Sequence, residues 1–509
     1  MLATARPESS FSTLLPNEDA TSHLAAEIAD VLAPGDVVTL SGDLGAGKTT
    51  FARALIRHLA HDEGLEVPSP TFTLMQVYEL AGATVVHADF YRVVAAEEID
   101  ELGFVEAAHG AIVLVEWPEH ADEVLPADRL DIALALAPDH GPHSRQAVIT
   151  GHGALIARME RLGAVRQVLG EAGFADAERR HIQGDASTRS YERLVAGGRT
   201  AILMNAPRRP DGPPIRGGLP YSTIAHLAED VTAFVAMARG LKARGFSAPD
   251  IYAADLDRGL VVLEDLGSEG VIAGEAPIEE RYAAAVDLLL VLHGQVLPEA
   301  LPVAAGAEHR LPRYDPDAFL IEAELFCDWY LTHCGTEIED VVRNEFTLLW
   351  RGALRSAVAA PATWVLRDYH SPNLLWLPQR AGIARVGLLD FQDALLGPAA
   401  YDLVSLLQDA RVDVPEAMEL ELLGRYTRAQ READASFDAA RFIELYAVLG
   451  AQRATKILGI FARLDRRDGK PQYLRHLPRV WGYLRRSLVH PVLAGLASWY
   501  EAHATAPNV

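Results

Sequence analysis

The sequence predicts an α/β chain of two units, a strand–glycine loop–helix domain followed by a two-lobed unit whose second lobe is mostly helical. Three observations carry this reading. "SGDLGAGKTT" (41–50) stands between an apolar run and a helical one. A helix and then short β-rich runs begin afresh near residue 157, after the first unit fades out through "LAPDHGPHSRQAVITGHG". Beyond residue 267 the pattern is largely helical to the C-terminus, interrupted by the strand-and-loop pair "WVLRDYHSPNLLWL" and "ARVGLLDF". A chain of 509 residues is in any case too long for one ordinary core.

Bulk properties exclude several classes. With 50% apolar and 23% charged residues the chain is globular, neither disordered nor fibrous. No apolar run approaches the roughly twenty residues that span a bilayer, and "MLATARPESSFSTLLP" lacks a basic-then-apolar leader, so a cytoplasmic protein with no membrane contact is expected. Cys327 and Cys334, seven apart in a helical pattern, are expected to be reduced thiols on one face rather than a disulfide or metal pair. The formal charge of -24 disfavours nonspecific nucleic-acid binding, and the first 155 residues carry 24 acidic against 7 basic side chains.

In the first unit, "PGDVVTLS" (34–41) reads as a turn and a buried strand, and "KTTFARALIRHLA" as a helix. Between them Gly42 to Thr49 satisfies G-x-x-x-x-G-K-[ST]. The nucleotide-binding candidates are therefore Gly42, Asp43, Leu44, Gly45, Ala46, Gly47, Lys48, Thr49 and Thr50. Loop amides and the helix N-terminus would cradle phosphate, Lys48 would reach the outer phosphates, and the Thr49 hydroxyl would hold Mg2+. Glu116, at the end of the apolar run "AIVLVEW", stands where an acid orients Mg2+ or the attacking water. Asp89 ends a second such run, and Trp117 either stacks in the site or packs beside it.

The four stretches "GDLGAGKTT", "VPSPTFTLMQVYE" (67–79), "HADFYR" (87–92) and "LVEWPE" (114–119), in this order, closely resemble the TsaE family, the bacterial ATPase of tRNA threonylcarbamoyladenosine biosynthesis. The resemblance covers about residues 10 to 155. It implies a P-loop NTPase fold, ATP and Mg2+ as cofactors, and Thr71 and Thr73 in a nucleotide-responsive switch loop. It also implies that the partners are other proteins of the threonylcarbamoyladenosine machinery, with tRNA met only indirectly, which suits an acidic domain.

The boundary is expected near residue 157, giving units 1–157 and 158–509, with a small β-rich lobe to about 267 built on "ERLVAG", "TAILMNAP" and "GLVVLEDLG". "RRPDGPPIRGG" (208–218) is the candidate mobile loop. In "LRDYHSPN", Asp368 can accept a proton from a substrate hydroxyl, and Asn373, five residues on, can hold a metal ion. The spacing is that of H-R-D-x-x-x-x-N, with Leu366 in place of the histidine. "GLLDFQD" (387–393) adds Asp390 as a second metal acid, placed like that of D-F-G but with Gln392 for the glycine. The strand lysine of protein kinases is missing, Met204 and Asn205 standing in its place. "GDASTRSYER" (184–193) offers Asp185 on the nucleotide side, and Arg189 and Arg193 as substitute phosphate ligands. Glu264 lies in "VVLEDLG" (261–267), which is similar to the interlobe connector that cradles adenine.

Together with "LPRYDPDAFLIEAELFCDWYL" (311–331) and "AQRATKILGIFARLDRRDGKPQYLRHLPRVW" (451–481), these stretches look like the anomeric sugar kinases of cell-wall recycling, over about residues 165 to 500. That family belongs to the protein-kinase-like, aminoglycoside phosphotransferase-like superfamily and phosphorylates N-acetylmuramate and N-acetylglucosamine at C1. The resemblance implies Asp368 as the base for the anomeric hydroxyl of an amino-sugar substrate, Asn373 and Asp390 as Mg2+ ligands, and Asp402 as an acid that braces the catalytic loop. An acidic sugar needs a cation, and Arg453, Lys456 and Arg463 fall near one helical face, a pattern that also suits a solvated surface. Tyr369 and His370 either line the pocket or pack the loop. Two alternatives stand beside this reading. One is a pseudokinase scaffold, favoured by the missing lysine; the other is a kinase for an aminoglycoside or another small alcohol.

Overall fold

The computed structural model describes residues 8–93, 96–121, 124–182, 189–208, 211–304 and 306–507. The chain divides into two compact units at Ala177/Glu178. The first is a seven-stranded sheet of β1 (Glu8–Leu15), β2 (Val37–Ser41), β3 (Met75–Glu79), β4 (Thr84–Asp89), β5 (Ile112–Glu116), β6 (Leu130–Leu136) and β7 (Arg145–His152), in spatial order β1-β7-β6-β2-β5-β4-β3. The centre is parallel, β6, β2, β5 and β4 running together, while β1, β7 and β3 join antiparallel. Parallel strands buried on both faces read as continuous apolar runs, and all five residues of "IVLVE" in β5 are buried. Helix α1 (Glu18–Ala29) starts where the Asn17 side chain accepts the Ala20 amide at 2.9 Å. Helix α2 (Lys48–Ala60) follows β2 directly through the glycine loop.

Two stretches differ from the sequence expectation. The segment read as fading out contains β7, whose Ala147 and Ile149 are buried while Val148 faces solvent; small residues and an exposed valine blur its alternation. The expected boundary near 157 falls at the start of the helix Ile156–Glu171, whose Met159 and Leu162 pack into the first core with Leu15 and Ile149.

The second unit opens with a five-stranded antiparallel sheet, in spatial order Ile251–Asp255, Leu260–Glu264, Arg199–Asn205, Ser190–Ala196, Glu178–Ile182. The helix Thr232–Lys242, eight of its eleven residues buried, joins the same core as Met204, Val261 and Leu263 on the sheet. "RRPDGPPIRGG" is in part a short hairpin, Pro214–Arg216 pairing with Leu219–Pro220; Arg209 and Pro210 lie outside the described residues. The remainder is mostly helical, with four two-stranded sheets among the described residues, around an apolar core. Both cysteines are free thiols.

The helical lobe is threaded by a 30-residue helix, Ala439–Asp468. Its N-terminus is capped by Asp438, which accepts the Arg441 amide at 3.0 Å, and it stops at Gly469 with φ of 64°. This helix passes so close to the end of the helix Pro316–Leu325 that a Cβ on Gly459 would lie 2.5 Å from the Leu325 carbonyl oxygen. Among the described residues no helix is long and apolar enough to cross a membrane. Gly459→Ala is expected to destabilise the full chain by about 1–3 kcal/mol through this backbone contact; denaturant unfolding checks it, and an unchanged midpoint counts against the packing described.

Candidate functional sites

The first site forms at the carboxyl ends of the parallel strands, where open α/β sheets bind ligands. The loop leaves β2 at Gly42, whose φ of 133° and place 2.1 Å, at an added Cβ, from the Leu134 carbonyl oxygen admit only glycine. Gly45 and Gly47 also take positive φ. Arg145 on β7 donates to the carbonyls of Ala46 at 3.1 Å and Gly45 at 3.3 Å, which turns these carbonyls toward a cation. Lys48 donates to the carbonyls of Gly42 at 2.7 Å and Asp43 at 3.0 Å, with the Trp117 ring 3.7 Å from its ammonium. Burial lowers its pKa, opposed by Glu116, Glu119, Asp89 and Asp43. In this arrangement Trp117 stacks on the lysine.

Glu116 and Asp89 are register partners on adjacent strands. Glu116 accepts from Thr49 Oγ1 at 2.9 Å and pairs with the buried His87 at 2.9 Å. Asp89 accepts from Thr71 at 2.7 Å and Ser69 at 3.2 Å, and from the Tyr91 amide at 3.0 Å. Thr71 is thus drawn onto the site, while Thr73 is exposed and stands off it. These groups surround a cleft of about 320 Å³ lined also by Leu44, Gly45, Gly47 and Thr50. Arg145 and His87 escaped the sequence reading. A histidine inside the apolar run before "ADF" was the available sign for His87; no local pattern marks Arg145.

In the second unit the strand Ala362–Val365 delivers the loop that carries Asp368. Arg367 and Asp390 both hold positive φ, 71° and 56°, and strained backbone of this kind gathers at functional sites. Asp402, wholly buried, accepts the amides of Leu366 at 2.6 Å and Arg367 at 2.9 Å, so it braces the loop as expected. Burial pushes its pKa up to about 7 against these bonds. A second brace, Asp409, accepts from both the amide (2.8 Å) and the hydroxyl (2.6 Å) of Ser371.

Asn373 donates to the Asp368 carbonyl at 3.0 Å and stands 3.4 Å from Asp390 Oδ2. Asp390 also accepts from Gln392 at 2.8 Å and from Arg189 at 3.2 Å. The three residues expected from spacing therefore converge. Burial would raise the pKa of Asp368, but His370, Lys456, Arg453 and Arg367 outweigh it and hold the carboxyl below the usual range. Burial, with Asp368 adding, raises that of Asp390.

Of the two arginines offered as phosphate ligands, Arg189 faces Asp390, whereas Arg193 pairs with Asp265 at 2.9 Å. Met204 is buried, so the strand presents no cation there. The Glu264 carboxylate is held by Arg380 at 2.6 Å and the Asp250 amide at 3.2 Å, a structural role for its side chain. Asp185 lies outside the described residues. Tyr369 is buried, its hydroxyl bonded to the Ala285 carbonyl at 2.8 Å, so it packs the loop. His370 lies 4.0 Å from Asp368, and burial lowers its pKa to about 4. Arg453 donates to the Arg367 carbonyl at 3.1 Å and stands 3.9 Å from Asp368.

Glu322 went unread in the sequence, although a glutamate inside "AFLIEAELF" was a visible anomaly. It is fully buried, pairs with Lys456 at 2.7 Å and with Arg367, and accepts from Tyr314 and from Gln452 at 3.2 Å. Burial alone would raise its pKa, yet Lys456 and Arg367 bring it to about 2.

Among the described residues no group of three or more His, Cys, Asp or Glu side chains is spaced to cage a metal. Each site instead offers two oxygen-bearing side chains, Thr49 with Glu116 and Asn373 with Asp390. That donor-poor set fits Mg2+ completed by nucleotide phosphates and water.

Comparison with known proteins agrees with this geometry. The family model "Threonylcarbamoyl adenosine biosynthesis protein TsaE" matches residues 15–146, and "Phosphotransferase enzyme family" matches 178–445. An N-acetylmuramate/N-acetylglucosamine kinase of Caulobacter vibrioides is 41% identical over 359 residues, 68% of this chain and 97% of that protein. A kinase of the same name from Pseudomonas aeruginosa is 35% identical, over 61% of this chain and 84% of that one. The tRNA threonylcarbamoyladenosine biosynthesis protein TsaE of Rickettsia felis is 44% identical over 121 residues, 24% of this chain and 70% of that protein. The chain belongs to the TsaE family across its first unit and, alongside the N-acetylmuramate/N-acetylglucosamine kinases, to the phosphotransferase enzyme family across its second.

Proposed function

We propose that the chain is bifunctional. The first unit hydrolyses ATP in support of tRNA threonylcarbamoyladenosine formation, with other proteins of that machinery as partners and tRNA met through them. The second transfers the γ-phosphoryl of ATP to the anomeric hydroxyl of N-acetylmuramate and N-acetylglucosamine. The observation that carries the kinase reading is the meeting of Asp368, Asn373 and Asp390 in one loop pair, with Asp368 held ionised.

In the kinase site Asp368 accepts the proton of the sugar hydroxyl as its oxygen attacks phosphorus. Arg189 lies beside Asp390 and supplies the cation on the phosphate side that Met204 cannot. Mg2+, held by Asn373 and Asp390 in the second site and by Thr49 and Glu116 in the first, would neutralise phosphate charge. Catalysis is then mainly alignment and electrostatics. In the first unit Lys48 and the loop amides hold the phosphates, and Glu116 orients water, with His87 fixing its carboxylate.

Asp368→Ala is expected to abolish sugar phosphorylation and to spare nucleotide binding by the first unit, whereas Lys48→Ala loses that binding and retains sugar phosphorylation. Product assays with each sugar, alongside nucleotide binding, check this; loss of sugar phosphorylation in both folded variants contradicts independent sites. Asp402→Ala should lower kcat about 100-fold by releasing the loop and cost about 1–3 kcal/mol for the orphaned amides. A kcat within twofold of the unaltered chain refutes the bracing role.

A further inference from the structure

Three cations of the long helix, Arg453, Lys456 and Arg463, meet different fates in the structure. Arg453 is committed to the catalytic loop through the Arg367 carbonyl and Asp368. Lys456 is committed to Glu322. Arg463 is two turns beyond Lys456 on nearly the same face, about 10.5 Å along the axis, and among the described residues no carboxylate pairs with it. Its Nε is hidden from solvent and has no hydrogen-bond partner. The nearby Asp468 is instead bonded to Arg467, at 2.7 and 2.9 Å.

Arg463 is also held in place. The Tyr221 ring lies 5.3 Å from its guanidinium. Tyr221 begins the short helix Tyr221–Ile224, whose Ile224 and the following Ala225 pack on Ile321, next to Glu322. The hairpin before this helix is tied to the helix Pro316–Leu325 by the Arg216–Glu324 ion pair. Burial, with Glu322 adding, pushes the Tyr221 phenol up to about 12, so the ring stays neutral. A partly desolvated guanidinium with unused donors is costly unless an anion satisfies it, and its planar fork suits a carboxylate.

We propose that Arg463, faced by Tyr221, binds the carboxylate of an acidic amino sugar and so sets the preference of the kinase site for the sugar acid over its neutral counterpart. The inference rests on the kinase reading above and deepens it. N-acetylmuramate differs from N-acetylglucosamine by a lactyl ether whose carboxylate lies several ångströms from the anomeric hydroxyl. Tyr221, set against Arg463, also feels the charges of Glu322, Lys456 and Arg367, so Arg463 lies on the side of the cluster that anchors the catalytic loop.

The test is the ratio of kcat/KM for N-acetylmuramate to that for N-acetylglucosamine in the full chain. Arg463→Met should lower this ratio at least about tenfold, chiefly through KM for the acid, and Arg463→Lys should restore part of it. A ratio unmoved while both sugars lose equally shows a merely structural role and overturns the proposal. Where Arg463→Met fails to fold, the unaltered chain with the methyl ester of N-acetylmuramate decides. The ester should lose the advantage of the acid, and equal use of acid and ester overturns the proposal. Turnover of neither sugar by the unaltered chain defeats the kinase reading itself, and this inference with it.

Discussion

A fully buried carboxylate, Glu322, is the charge on which the helical lobe depends. It compensates Lys456 from the long helix and Arg367 from the catalytic loop at once, and Tyr314 and Gln452 occupy its remaining lone pairs. A buried carboxylate is tolerated only when paired and hydrogen-bonded in this way, and removing one partner leaves a charge with no water to solvate it. The helix Pro316–Leu325, the loop and the long helix are therefore fixed relative to one another by one group. Gly459 permits the approach that this pairing needs, since any side chain there meets the Leu325 carbonyl.

With the loop anchored through the Arg367 side chain, its backbone is held by two further acids. Asp402 takes the amides before Asp368, and Asp409 takes Ser371 after it. Among the described residues no donor is hydrogen-bonded to the Asp368 carboxylate, and the cations around it hold its pKa down. Charge is thus directed to the carboxylate proposed as the proton acceptor. The first unit is built differently. It aims a helix N-terminus and loop amides from the end of a parallel sheet, and it spends Arg145 on the loop's carbonyls.

Much of this was legible in the sequence because local motifs carry local geometry. The glycine loop, β2, α2 and the positions of Glu116 and Asp89 follow from apolar runs ending in acids. Asp368, Asn373 and Asp390 follow from their spacing, and Asp402 from the resemblance to the sugar kinases. What escaped depends on contacts distant in the chain. Glu322 meets Lys456 across more than a hundred residues, and Arg145 returns to a loop 99 residues earlier. The helix Ile156–Glu171 was assigned to the wrong core because an amphipathic helix does not say which sheet it covers. The missing strand lysine was visible, but which of Arg189 and Arg193 faces Asp390 was not, since Arg189 precedes the strand Ser190–Ala196 and the period of the strand does not place it.

The most direct test of the account is the structure of the product formed from ATP and N-acetylglucosamine by the unaltered chain, read by proton–phosphorus NMR. The account predicts a new phosphate coupled to the anomeric proton, formed only when ATP is present and absent from the Asp368→Ala chain. Phosphate on any other hydroxyl, or ATP turnover with no sugar phosphate, would contradict it.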